Sequence, residues 1–491
     1  MGAEAAEAVY ALHRFGLGPR PGDIDRVAAD PRGVLAAELD VPNAADLNSD
    51  LLTDSTQAYQ EFRRAAANAR EMLKQDARDP EESMGAESMG AESMDMAEGM
   101  EAEGMEPDAA PRGAKRKQPK ETRILFNRLA DTETRARIDR VLEAETGFVE
   151  RLVAFWSNHF AIEIDAGSVT KAMAGAYERE AIRPHVLGRF DDLLFAATQH
   201  PAMLAYLNNG ASVGPNSRGG QRSKRGLNEN HAREILELHT VGVEGGYTQA
   251  DVTALALVLT GWSFGRNVRK TERLGRFVFN RNFHEPGPQT VMGVRYEEEG
   301  ALQGQAALLD LAIHPATSRH IAYKFARHFV ADEPPAVLVD RLAENFLATE
   351  GDLKQLALTL IRSDEAWDSG QKLKSPQEFL WSSIRALQLP VAPGFAMRVL
   401  KSLGQPLWNP PSPEGYKDDT PTWLAPDAFA DRLDVAERLA EQADPEQDPL
   451  ELVDAVLGPD VSTETRETVR WAESSPQAFA LLLMSPEFQW R

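Results

Sequence analysis

Apolar residues recur at every third or fourth position along most of the chain, which is the spacing of an amphipathic helix. The clearest stretches of this kind are Phe148–Ile162, Asn228–Val241 and Ser318–Val330. Turns rich in glycine and proline, of which Gly16–Pro19 is typical, separate the helical stretches. The pattern predicts a mainly α protein, folded as a multi-helix globular bundle.

One region has the alternation of a β-strand instead. Arg276–Asn280 is the best strand candidate, and 289–292 and Val294–Tyr296 are predicted to pair with it. We therefore expect a small β-hairpin on the helical body. After residue 390 prolines are frequent, and aromatic residues are interleaved with them between Trp408 and Trp423, which indicates a structured loop before the terminal helices.

The composition changes abruptly between Asp79 and Asp108, a stretch with eleven acidic residues, six methionines and no basic residue. It cannot bury enough apolar area to offset the entropy of ordering it, so we predict a long disordered acidic insertion. Its thioethers suit Cu(I), and the alternative is a low-complexity linker that binds nothing. The predicted segments are an N-terminal helical segment (1–78), the insertion with its basic end (79–122), a helical core (123–390), and a loop with C-terminal helices (391–491).

The net charge of -23 argues against nucleic acid as a partner, since phosphate binding needs a basic surface. The absence of cysteine excludes disulfides, thiolate nucleophiles and cysteine-ligated metals. No run of about 18 apolar residues occurs, so no membrane span is expected. The first residues do not have the pattern of a signal peptide, which predicts a cytoplasmic location.

Three histidines fall on apolar helical faces: His159, His239 and His328. Imidazole is a common metal ligand and a proton carrier near neutral pH, and helix bundles build cofactor sites from inward side chains. The alternative is a buried histidine that only donates a hydrogen bond to a carbonyl. The pattern determines neither a metal ligand set nor a cofactor.

The opposite face of the helix 228–239 is polar. Asn230, Arg233, Glu234 and Glu237 follow helical spacing, and Arg233 can form ion pairs with glutamates four residues away on either side. At 100° per residue the two carboxylates point away from His239, so one metal ion cannot be bound by all three. This face is either a solvated surface or a carboxylate site.

Several motifs occur together: FWSNHF (Phe155–Phe160), NENHAREILELHTVG (Asn228–Gly242), HPATSRHIAYKFARHFV (His314–Val330) and GQPLWNPPSPEGY (Gly404–Tyr416). In this order they resemble the bacterial DUF1800 family over nearly the whole chain apart from the acidic insertion. The resemblance implies no agreed activity. Such proteins are often exported and often encoded beside a sulfatase-like family, which implies a sulfatase-like partner protein and is at odds with the cytoplasmic prediction.

The resemblance implies that the polar face is internal and forms a site. The motif positions it carries over are Asn158, His159, Asn228, Glu229, Asn230, Arg233, Glu234, Glu237 and His239. A buried network in which Arg233 neutralises Glu234 and Glu237 is the competing interpretation.

Three hypotheses follow. The first is an enzyme acting on an envelope or extracellular polymer, in which Glu234 or Glu237 is the general acid or base and His159 or His239 transfers a proton. The substrate would be bound by Asn158, Arg183, Asn228, Asn230 and Arg233. The second hypothesis is a non-enzymatic helical partner that escorts another protein, and the third is a His-ligated metalloprotein.

Overall fold

The computed structural model describes residues 2–76, 119–222, 225–266, 273–368 and 372–491. The protein is mainly helical, as predicted. The α-helices are α1 (Gly2–Arg14), α2 (Asp23–Val27), α3 (Pro31–Glu38), α4 (Ser55–Asp76), α5 (Lys120–Glu143), α6 (Phe148–His159), α7 (Ser168–Tyr177), α8 (Phe190–Gln199), α9 (Pro201–Tyr206), α10 (Asn230–Glu234), α11 (Gln249–Val258), α12 (Ala301–Ala312), α13 (Pro315–Phe329), α14 (Ala336–Ala348), α15 (Leu353–Arg362), α16 (Glu365–Asp368), α17 (Pro376–Ala386), α18 (Pro393–Ser402), α19 (Thr420–Trp423), α20 (Pro426–Ala440), α21 (Pro449–Leu457), α22 (Thr463–Arg470), α23 (Ser475–Met484) and α24 (Pro486–Gln489).

Two helices change pitch at their C-terminal ends. A π turn, Glu178–Ile182, continues α7, and a second π turn, Ile235–His239, continues α10. Short 3₁₀ turns cover Arg183–His185 and Asn209–Ala211. Single π turns inside helices are frequent at functional sites, which makes the first of them relevant to the cleft described below.

Local sequence accounts for the start and the buried face of the helices. In α6 the apolar stripe of Phe148, Leu152, Phe155 and Trp156 is buried, as its helical spacing predicts. Thr248 and Asp251 form a complete capping box at the start of α11. A second capping box begins α17, where Pro376 occupies the first turn.

The buried apolar residues form two main cores. The first contains α1, α3, α6 to α15 and the strands, and the second contains α17, α18 and α20 to α24 with Leu17 and Ile138 from the N-terminal half. Trp408 packs against both cores. The main chains of Lys372 and Arg491 pair through two hydrogen bonds of 2.9 Å, which joins the last residue to the segment before α17.

The predicted β-hairpin is wrong in its pairing. Phe277–Phe279 (β2) pairs antiparallel with Trp262–Phe264 (β1), while Gln289–Val291 (β3) pairs with Val294–Tyr296 (β4). The reason is local, because the residues between β3 and β4, Met292 and Gly293, both have positive φ, of 47° and 83°. Such a two-residue turn closes a hairpin by itself and leaves β2 to pair elsewhere.

Most of the predicted disordered insertion, including its methionines, lies outside the described residues, and α5 already begins at Lys120. None of the helices in the described ranges combines the length and apolarity needed to cross a bilayer.

Candidate functional site

The predicted helix 228–239 begins two residues late and ends in a π turn. Asn228 precedes α10 and its side-chain oxygen accepts a hydrogen bond of 3.0 Å from the N–H of Asn230. At the other end the Thr240 hydroxyl donates to the Ile235 carbonyl at 2.7 Å. Asn228 and Asn230 therefore start this helix rather than line either of the two clefts described below.

Arg233 takes part in a partly exposed network. Its guanidinium donates to Glu229 at 3.1 Å and to Gln249 at 2.9 Å. The Thr253 hydroxyl donates to the same glutamate at 2.7 Å. The predicted pair between Arg233 and Glu229 is present, whereas no ion pair joins Arg233 to Glu237 in the described part of the chain. The charge of Arg233 lowers the pKa of Glu234, but this effect is smaller than the opposing effects of burial and of Glu237.

Glu234 and Glu237 are half-buried neighbours on this face. Burial, and then the charge of Glu237, raise the pKa of Glu234 to about 7. The Tyr247 hydroxyl is hydrogen-bonded to Glu237. The pair thus offers one carboxyl group that exchanges a proton near neutral pH, which is what a general acid requires.

His159 and His239 are buried in the first core, away from solvent. The Nε2 atom of His159 lies 3.1 Å from the His239 carbonyl oxygen, and the two rings are 6.0 Å apart. Burial first, then neighbouring positive groups, hold both pKa values well below their usual range. Both imidazoles are therefore neutral at physiological pH, and neither is hydrogen-bonded to Glu234 or Glu237 in the described structure.

His320 lies beside them, with its ring 6.3 Å from that of His159. Its Nε2–H donates to the Leu238 carbonyl at 3.1 Å. Across the described ranges, no three histidine, aspartate or glutamate side chains are grouped so that they could hold a metal ion. The arrangement gives the His-ligated hypothesis no ligand set.

A cleft with an empty volume of about 1050 Å³, including its open mouth, lies where the two cores meet. We call it the first cleft. Helices α5, α6 and α17, the first π turn and the loop Gly404–Asp418 (the cleft loop) supply its walls. Its ionisable lining residues are Arg137, Glu150, Arg151, Glu178, His328, Glu378, Lys417 and Asp418.

Arg183 lies behind one wall and bridges two lining carboxylates. It donates to both oxygens of Glu150, at 2.8 and 3.0 Å, and to Glu178 at 2.8 Å. Arg137 is a second partner of Glu178. Burial alone would raise the pKa of Glu178, but Arg137 and Arg183 hold it below its ordinary value. The sequence analysis predicted that Arg183 binds substrate. In the structure its guanidinium is instead engaged by two glutamates of the chain.

A second buried network forms the opposite wall. Glu378 lies 2.6 Å from Arg151 and 3.0 Å from Arg491. The Nε2 atom of His328 lies 3.3 Å from the Arg151 guanidinium, and the Nδ1 atom of the same ring lies 2.6 Å from the Asp418 carboxylate. Because arginine only donates, Nε2 must accept, so Nδ1 carries the proton and donates to Asp418. His328 is therefore a neutral imidazole whose lone pair is already engaged.

Asn158 fixes the cleft loop rather than facing free space. Its side-chain oxygen accepts from the Tyr416 N–H at 2.7 Å, and its amide donates to the Tyr416 carbonyl at 3.0 Å. Gly415 has φ of 88°, and a Cβ there would lie 2.4 Å from the Asn158 carbonyl oxygen. Only glycine fits this close approach.

Trp408 lines the first cleft, with its side chain half-buried. Its φ is 53°, a conformation in which a bulky residue is strained. Its indole N–H donates to Glu178 at 3.0 Å, and the Arg137 guanidinium lies 5.5 Å from its ring centre. These contacts hold the indole in a fixed position beside the cleft.

The structure thus brings two of the predicted site residues, Asn158 and Arg183, to the first cleft. The other predicted residues lie elsewhere, namely Glu234, Glu237, His159, His239, Asn228, Asn230 and Arg233. The sequence analysis missed Glu150, Arg151, Glu178 and Glu378. The available signal was the adjacent charged pair Glu150–Arg151 inside an otherwise apolar helical stretch.

A family model described as Protein of unknown function (DUF1800) matches residues 10–490. The chain therefore belongs to this family, as its motifs indicated. No curated protein and no solved structure matches it.

Proposed function

We propose that this member of the DUF1800 family binds a neutral saccharide part of an envelope or extracellular polymer in the first cleft. The observation that carries the proposal is Trp408, a half-buried indole held in a strained conformation in the wall of the cleft. Strained residues persist where the surrounding structure fixes them, and they cluster at binding sites. An indole of fixed orientation offers an apolar face for a sugar ring.

The charges of the cleft support a neutral ligand. Three cationic and four anionic side chains line it, so their charges nearly cancel. The buried carboxylates are already paired, Glu150 with Arg183, Glu178 with Arg137 and Glu378 with Arg151. A strongly charged ligand would have to break one of these pairs, which costs several kcal/mol in a buried site, on the order of 3–5. Hydroxyl groups of a sugar accept or donate without breaking them.

Isothermal titration with a panel of neutral oligosaccharides, beside uronate-containing ones of the same length, tests this proposal. We expect the neutral members to bind and the Trp408→Leu variant to bind them roughly 2- to 10-fold more weakly. Trp471→Leu is the matched control, because Trp471 is 79% exposed and lies outside the cleft. If no neutral oligosaccharide binds, or if the Trp408 variant binds as tightly as wild type, the proposal fails.

A second candidate function, catalysis at Glu234 and Glu237, is supported by the pKa of Glu234, raised to about 7 by burial and by its neighbour. A group of this kind donates a proton at neutral pH. Glu234→Gln would abolish turnover of a polymer that reaches this carboxyl pair. It would leave binding in the first cleft unchanged, because neither glutamate lines that cleft. A function in cells that survives the combined Glu234→Gln and Glu237→Gln changes would instead favour the escort role with a sulfatase-like partner.

A further inference from the structure

Trp408 also lines a second cleft. This cleft has an empty volume of about 420 Å³, including its open mouth, and lies between α5, α7 and Ile164. Trp408 lines both this cleft and the first one. The same indole packs against both hydrophobic cores. The two clefts are therefore neighbours that share one lining residue.

The two clefts differ in chemistry. The walls of the second are mostly apolar, supplied by Phe126, Leu129, Ala130, Ile164, Ala172, Ala174, Gly175, Ala176 and Trp408. Two of its three polar side chains are already engaged. Glu133 receives the Arg179 guanidinium at 2.8 Å, and Lys171 lies 3.5 Å from Asp165 and 5.8 Å from the Phe126 ring centre. What this cleft offers a ligand is chiefly apolar surface.

We infer that the ligand of this protein is amphiphilic, with a polar saccharide part in the first cleft and an aliphatic substituent in the second, the two meeting at Trp408. This inference rests on the proposed function for the polar part. The second cleft provides the reason for the aliphatic part, since a concave apolar surface beside a polar one binds a molecule with both characters more tightly than either half.

The size of the effect follows from burial of methylene groups. Each methylene moved from water to an apolar site improves affinity about fourfold. The gain ends when the chain outgrows the cleft. In a homologous series of ligands, the increase in affinity with each added methylene group therefore measures binding in the second cleft. This increase does not depend on which sugar the first cleft prefers.

The first measurement uses n-alcohols from butanol to octanol, titrated into the full-length protein. Ala130→Phe places a ring in the second cleft, because Ala130 is half-buried in its wall. Ala67→Phe is the matched control, the same change at an exposed position of α4. We expect affinity to rise about fourfold per methylene in wild type and in the control, and the rise to be absent in Ala130→Phe.

The second measurement compares methyl and octyl β-glucoside below the concentration at which the latter forms micelles. We expect octyl glucoside to bind more tightly in wild type, and Ala130→Phe to bring it to the level of methyl glucoside. Alcohols that do not bind, or that keep their slope in Ala130→Phe, overturn the inference and leave the saccharide proposal standing. Octyl glucoside that binds no better than methyl glucoside overturns the single amphiphilic ligand. If alcohols bind but no oligosaccharide does, the inference of an amphiphilic ligand also fails. In that case the error lies in the proposed saccharide binding and not in the second cleft.

Discussion

The charge of Glu378 is expected to stabilise the fold in a strongly pH-dependent way. Glu378 is buried in the wall of the first cleft, 2.6 Å from Arg151 and 3.0 Å from Arg491. One of its oxygens also accepts the Ser375 N–H at 2.8 Å as part of the capping box of α17. Glu378→Gln keeps the shape and an acceptor oxygen, but it removes the charge that compensates two buried guanidinium groups.

The pKa of this carboxyl group gives the magnitude. Burial alone would raise it, but Arg151 and Arg491 lower it from 4.5 to about 2. A shift of this size corresponds to about 3 kcal/mol in favour of the charged, folded state. The pKa of Glu378 in the folded protein lies below its value in the unfolded chain. The stabilisation of the fold by this charge is therefore complete above about pH 4.5 and is lost as the pH falls towards 2. By pH 3 roughly half of it remains.

Urea unfolding of wild type and Glu378→Gln at pH 7, 5, 4 and 3 measures this directly. We expect the variant to be less stable by about 3 kcal/mol at pH 7, with the difference narrowing to about 1.5 kcal/mol at pH 3. Glu441→Gln, at an exposed position, is the control and should stay within about 0.5 kcal/mol of wild type. A difference that is independent of pH, or below about 1 kcal/mol at pH 7, would refute the reasoning.

Two further predictions concern the same region. Arg183→Met should cost about 3–5 kcal/mol because it removes the guanidinium that two buried carboxylates, Glu150 and Glu178, share. Adding Glu150→Met should cost about 1–3 kcal/mol less than the sum of the two single changes in denaturant titrations. Additive effects would show that the pair does not act as a unit. Gly415→Ala should lower the thermal midpoint more than Gly287→Ala, since both have positive φ, of 88° and 94°, but only Gly415 has a neighbour within 4 Å of the added Cβ. Equal shifts would mean that the contact with Asn158 adds nothing.

Local pattern was enough to predict the helices and their buried faces. The stripe of α6 and the buried positions of His159 and His239 follow from spacing within one segment. The predicted β-pairing was wrong, because the alternation that marks strands does not say which strand is the partner. In this chain the turn at Met292 and Gly293 decided it.

The first cleft could not be predicted from spacing, because its charged residues are paired across long stretches of chain. Glu150 and Arg151 are adjacent, yet the partner of one is Arg183 and the partner of the other is Glu378. Helical spacing alone would predict that two adjacent charged residues of this kind are exposed to solvent. Asn158 was named from its motif, but its partner is the main chain of Tyr416, 258 residues away.

The free-energy cost of burying these charged side chains indicates that they have a role other than stabilising the fold. Replacing a buried ion pair by well-packed apolar residues is often neutral or stabilising, so paired charges are a poor means of stabilising a core. In this protein they are concentrated where the two cores leave a cleft open to solvent, and the indole of Trp408 is held in a strained conformation by one of them, Glu178. A fold that needed only stability would close this space with apolar side chains, as it does at the junction around Ile138. The proposed polar ligand would account for the charged wall and for the strained indole together.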